Sequence, residues 1–118
     1  MSEQPIFYIF VNSDLGMSKG MTTAQIIHIT QIITEELVKR CYETSPPPKE
    51  CMNYMKWKTI PTSVVLRATN EQLRELVKME GAKGFIDSGN RIPDNTLTVV
   101  GFYPTDTMSD FVKCYKLL

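Results

Sequence analysis

Ile6-Phe7-Tyr8-Ile9-Phe10-Val11 decides how the rest of the chain is read. All six residues are β-branched or aromatic, and none alternates with a charged residue. Such a run is expected of a strand covered on both faces, the central strand of an α/β sheet. It is too short to span a bilayer.

Downstream, residues 12–20 read as a loop with two glycines, and residues 22–42 as a helix. Ile26, Ile29, Ile33, Leu37 and Cys41 fall on one face of that helix. Gln25, His28, Gln31, Glu35 and Lys39 fall on the other. Ser45-Pro46-Pro47-Pro48 stops it, because proline has no N–H to donate and clashes with the preceding turn. A short helix is predicted over 49–57 and a second strand over 63–68. Thr69 then opens a helix with Gln72 as its capping-box partner, Leu73, Leu76 and Val77 as its apolar stripe, and Gly81 as its left-handed stop. Residues 84–87 and 96–103 are predicted as the third and fourth strands. Pro104 is predicted to start a last helix with Met108, Phe111, Val112 and Tyr115 on its core face.

This order gives one α/β domain over residues 1–118. The predicted architecture is a three-layer αβα sandwich around a four-stranded mixed sheet. The first three strands are joined through helices and run parallel. Only residues 88–95 join the last two strands, so the last runs antiparallel.

Composition narrows the function classes. Apolar residues make up 42 % and charged residues 22 %, as in ordinary globular domains. Thirteen basic residues balance thirteen acidic ones, so a nucleic acid would have to be held by a local basic patch. Lys19, Arg91, Lys39 and Lys113 are the candidates for such a rim. Three cysteines without a C-x-x-C pair argue against a disulfide framework and for a reducing compartment. The first residues lack a basic n-region, which fits a cytoplasmic location.

Ligands of open α/β sheets bind beyond the carboxyl ends of the strands. That places Asp14, Lys19, Asp87, Asn90 and Arg91 on the candidate loops, with Gln25 and His28 nearby. Gly16-Met17-Ser18-Lys19-Gly20 resembles a phosphate cradle at a helix N-terminus, but lacks the Walker A spacing. The plain alternative is a strand-to-helix turn. His28 is the only histidine, so neither a three-ligand metal site nor an obvious nucleophile triad is present. Asp87 is either a turn carboxylate or one that orients water or a ligand hydroxyl. Trp57, between Lys56 and Lys58, suits base stacking or a half-buried anchor.

Several segments in order resemble the type 2 peptidyl-tRNA hydrolases. They are residues 11–20 running into Ala24-Gln25-Ile26-Ile27-His28, then Phe85-Ile86-Asp87-Ser88-Gly89, then Thr96-Leu97-Thr98-Val99-Val100-Gly101, and the Lys116-Leu117-Leu118 ending. The resemblance covers nearly the whole chain. It implies hydrolysis of the ester that joins a peptide to the terminal ribose of tRNA. The family's members commonly form dimers, so a homodimer is one expectation, and no metal or organic cofactor is implied. Catalytic residues carried over are Lys19, for phosphate or the oxyanion; Asp87, for water or a ribose hydroxyl; and Gln25, for the carbonyl or terminal nucleotide. Asp14, Gly20, His28, Ser88, Asn90 and Arg91 are carried over as substrate contacts.

Two departures fall inside that site. Met21 stands where the family has a second lysine, and Asn90-Arg91-Ile92 where it has Arg-Thr-Gln. They leave an alternative: a catalytically impaired relative acting as an RNA-binding or protein-interaction module.

Overall fold

A computed structural model describes residues 4–87, 92 and 95–118. The elements run β1 (Ile6–Asn12), α1 (Lys19–Glu43), α2 (Lys49–Thr59), β2 (Thr62–Ala68), α3 (Asn70–Leu76), β3 (Ala82–Ile86) and β4 (Leu97–Phe102), followed by a 3-10 turn at Phe111–Cys114. The four strands form one sheet in the order β2-β1-β4-β3. β1 and β2 are parallel, and β4 is antiparallel to both β1 and β3. The mixed sheet with an antiparallel last strand is therefore as predicted, and the short β3–β4 connection is the reason.

β1 is the centre of the molecule. Phe7, Ile9 and Val11 pack beneath Ile29, Ile33 and Leu37 of α1 and Tyr54 of α2. Tyr8 and Phe10 point the other way, onto Leu73 and Leu76 of α3 and Met108. A strand whose neighbours alternate between two apolar layers needs no polar face. Gly101 lets α1 come close. A Cβ there would lie 2.7 Å from Ile33 Cδ1 and 3.0 Å from Ile29 Cγ1.

The capping box at Thr69 forms as predicted, with Thr69 Oγ1 accepting from the Gln72 N–H at 3.1 Å and Gln72 Oε1 accepting from the Thr69 N–H at 2.9 Å. Gly81 has a positive φ of 82°. Trp57 is an anchor: it packs edge-on against Phe7, and its Nε1 donates to the Thr62 carbonyl at 2.8 Å.

The predicted final helix does not form. Thr105 stays extended because its N–H and carbonyl pair with Ile6, at 3.0 and 2.9 Å. Thr105 Oγ1 then accepts from the Thr107 N–H, a local turn that competes with helix. Beyond the 3-10 turn, the Arg67 N–H donates to the Lys116 carbonyl, and the Leu118 N–H donates to the Val65 carbonyl. The C-terminal residues thus cover the outer edge of β2, which would otherwise be an open template for pairing.

Candidate active site at the carboxyl end of the sheet

β1, β2 and β3 run in one direction, so Asn12, Ala68 and Asp87 lie at one end of the sheet, where α1 begins. Asn12, at the end of β1, is buried and organises this end. Its side-chain N–H2 donates to Asn70 Oδ1 and, at 2.8 Å, to the Leu97 carbonyl; its Oδ1 accepts from the Asp14 N–H at 2.8 Å. Asp14 Oδ2 in turn accepts the Asn70 N–H at the start of α3. This geometry makes Asp14 a tie between the β1–α1 loop and α3. A carboxylate at a helix N-terminus is favourably placed.

Next to it the sheet contains an irregularity. Phe85 pairs with Val99 and Ile86 with Leu97, so Thr98 is the extra residue of a β-bulge in β4. A bulge breaks the two-residue alternation of a strand. Here Thr98 and Val99 both face α1. Thr98 is fully buried, and its hydroxyl lies 2.7 Å from Gln25 Oε1 and 3.3 Å from the Phe85 carbonyl. With a single proton to give, the shorter contact takes it.

Gln25 is only 1 % exposed, although periodicity placed it on the polar face of α1. Both ends of its amide find partners, which is why it can be buried. Nε2 donates to Asp87 Oδ2 at 3.0 Å. A carboxylate only accepts, so Asp87 dictates which end of the amide faces it, and Oε1 is left for Thr98. The result is a continuous relay from Thr98 through Gln25 to Asp87.

Three residues beyond Gln25, His28 packs at a 34° tilt against Phe85, with ring centroids 4.8 Å apart. It forms a wall of the same region. Lys19 is the first residue of α1, exposed, and about 9 Å along the helix axis from Gln25. The Ser18 hydroxyl caps the helix by accepting from the Met21 N–H at 3.2 Å. Gly20 is exposed, with nothing within 4 Å of where its Cβ would stand. No acidic residue occupies the first turn, so the positive end of the helix and Lys19 act together.

The structure thus brings Gln25, Asp87 and His28 together, sets Lys19 and Gly20 at the start of the same helix, and gives Asp14 a bracing contact. Ser88, Asn90 and Arg91 lie outside the described residues. Among the described residues, the expected basic rim does not gather around Lys19. Lys39 is about 30 Å further along α1, and Lys113 pairs with Asp110 at 2.8 Å. Asn12, Asn70 and Thr98 were not singled out from sequence. Asn12 had a weak signal, as a polar residue ending an apolar run. Thr98 had none, since threonine is ordinary in a strand. No cluster of three or more metal-ligating side chains occurs among the described residues.

A cavity of about 740 Å³ lies elsewhere, lined by Arg40, Asn53, Gly81 and Tyr103 among others. Gly81 precedes β3 and Tyr103 follows β4, so this cavity is at the opposite end of the sheet from Asp87.

With this geometry established, the family follows from comparison. The sequence model described as Peptidyl-tRNA hydrolase PTH2 matches residues 6–118. The chain belongs to the peptidyl-tRNA hydrolase PTH2 family. Comparison with curated proteins finds no match. The PTH2 match begins at β1 and runs to the C-terminal residues that cover β2, so it includes every element described above. Among the described residues, no helix is long and apolar enough to cross a membrane.

Proposed function

We propose that this PTH2-family chain hydrolyses the ester of peptidyl-tRNA, releasing tRNA and peptide in the cytoplasm. The observation that carries the reading is the buried Gln25 amide holding the Asp87 carboxylate at 3.0 Å, at the same end of the sheet as the start of α1. Water must be oriented toward the ester carbonyl, and the tetrahedral oxyanion must be stabilised. Asp87 accepts a proton from that water or from the ribose hydroxyl. One of its oxygens is held by Gln25, which sets the direction of the other. Lys19 and the free N–H groups at the start of α1 take the phosphate or the oxyanion. His28 closes the wall against Phe85, and Gly20 lets substrate approach the helix start. Ser88, Asn90 and Arg91 contact the terminal nucleotide from the β3–β4 connection. Asp14 keeps the loop before Lys19 in place.

Met21 favours a second reading, in which the same cleft binds RNA or a protein without turnover. A thioether cannot make the charge-assisted hydrogen bond of a lysine. One assay separates the two. Purified peptidyl-tRNA is incubated with the wild-type chain and with Asp87→Asn. Turnover that falls ~10²-fold or more in the variant supports hydrolysis through Asp87. Equal turnover removes Asp87 from the mechanism. Salt-sensitive tRNA binding without turnover by the wild type selects the second reading.

A further inference from the structure

Cys41 on α1 and Cys51 on α2 flank the turn that joins the two helices. Cys51 is 1 % exposed, and its Sγ lies 3.8 Å from the Leu37 carbonyl oxygen of α1. Cys41 is one helical turn beyond Leu37, so its own N–H points at that same carbonyl. A helical side chain leans toward the N-terminus and covers the turn before its Cα. The Cys41 thiol therefore leans back toward the same Leu37 carbonyl that Cys51 Sγ contacts, which makes the two thiols neighbours. Cys41 is half-exposed, and both sulfurs are reduced. The third cysteine, Cys114, lies in the 3-10 turn whose Val112 packs on the opposite face of the sheet, and takes no part.

We propose that Cys41 and Cys51 form a reversible oxidation site, converted to an intramolecular disulfide by a hydroperoxide. The solvent-facing Cys41 thiolate attacks a peroxide oxygen. An S–O bond forms, the O–O bond breaks, and the leaving oxygen departs as water, or as an alcohol from an organic peroxide. The Cys51 sulfur then attacks the Cys41 sulfenic acid. The S–S bond forms, the S–O bond breaks, and the hydroxyl leaves as water with the Cys51 proton. Two thiols lose two electrons in total and the peroxide gains them. Burial and the neighbouring Cys41 push the Cys51 thiol up to about 12, which assigns Cys51 to the second, slower step. The bond would clamp the last turns of the helix that carries Lys19 and Gln25 at its other end.

The test uses the full chain carrying Cys114→Ser, treated with hydrogen peroxide and digested with trypsin. The expected product is the peptide 41–49 joined to 50–56, two hydrogens lighter, from monomeric protein, and released by dithiothreitol. Oxygen added to Cys41 without a cross-link, or a cross-link only between chains, overturns the proposal. In a Cys51→Ala variant, Cys41 should stop at the sulfenic acid and be captured by dimedone. Equal capture when Cys51 is present also overturns it. Should that variant fail to fold, Cys41→Ser serves: Cys51 should then resist peroxide, and oxidation of Cys51 at the original rate overturns the proposal.

Discussion

The Gln25 amide, buried on α1, donates to the Asp87 carboxylate at the end of β3 and accepts from the Thr98 hydroxyl behind it. Replacing Gln25 by leucine removes the 2.7 Å bond of the buried Thr98 hydroxyl and leaves it only the longer 3.3 Å contact with the Phe85 carbonyl, a loss of about 1 kcal/mol. Adding Thr98→Val removes both partners of that bond and should recover most of the loss, because matched apolar replacement is nearly neutral. Turnover should stay low in the double variant, since the Gln25 donor that holds Asp87 Oδ2 is still missing. Urea midpoints and peptidyl-tRNA hydrolysis read the two effects separately. Recovery of both together would mean that the relay only holds the fold.

Lys19 should show the opposite pattern. A cation at the first residue of a helix opposes the helix dipole, and no acidic residue of that turn offsets it. Lys19→Ala is expected to stabilise the chain by about 0.3–1 kcal/mol while turnover falls ~10²-fold. Thermal unfolding beside the hydrolysis assay checks this. A variant that is less stable and fully active would contradict it.

Gly101→Ala tests how closely α1 must sit on the sheet. The new methyl would meet Ile33 Cδ1 at 2.7 Å and Ile29 Cγ1 at 3.0 Å. Both isoleucines are buried and stiff at χ1, so overpacking of about 1–3 kcal/mol is expected. Because Gln25 lies one turn before Ile29 on that helix, the Gln25–Asp87 bond should lengthen and activity should fall as well. A midpoint unchanged in urea would show that α1 can shift freely.

Stability should decline in alkali. Burial raises the Cys51 thiol from 9.0 to about 12, and burial likewise raises the Tyr103 phenol. Each group is neutral when protonated. Above about pH 9 the unfolded chain has released protons that the folded chain keeps, so unfolding becomes easier as pH rises. The contribution is complete below the unfolded values and is lost as pH climbs through the folded ones. Urea midpoints should be level to about pH 8 and then fall, with a shallower fall in Cys51→Ala. A flat profile to pH 11 would refute the assignment.

What was legible in the residues is what short-range physics controls. The unbroken β-branched and aromatic run from Ile6 to Val11 marked the central strand, because only a strand covered on both faces tolerates it. Thr69 and Gln72 marked a helix start through bonds that span three residues. The order of elements then led to the mixed sheet. Lys19 and Asp87 were found from their places after strands. What stayed hidden was set by partners far along the chain. Gln25 looked like a surface residue because nothing near it in sequence shows that Thr98 and Asp87 will satisfy its amide. Thr98 looked like any strand threonine until the bulge turned it and Val99 to one face. The segment from Pro104 to Tyr115 carried a helical pattern, yet long-range pairing of Thr105 with Ile6 held its start out of a helix. Sequence alone determined where the backbone bends and which surfaces must be buried, since propensity and apolar periodicity act over a few residues. Only the tertiary structure decided which buried polar groups meet, because their hydrogen bonds join atoms from strands and helices distant in the chain.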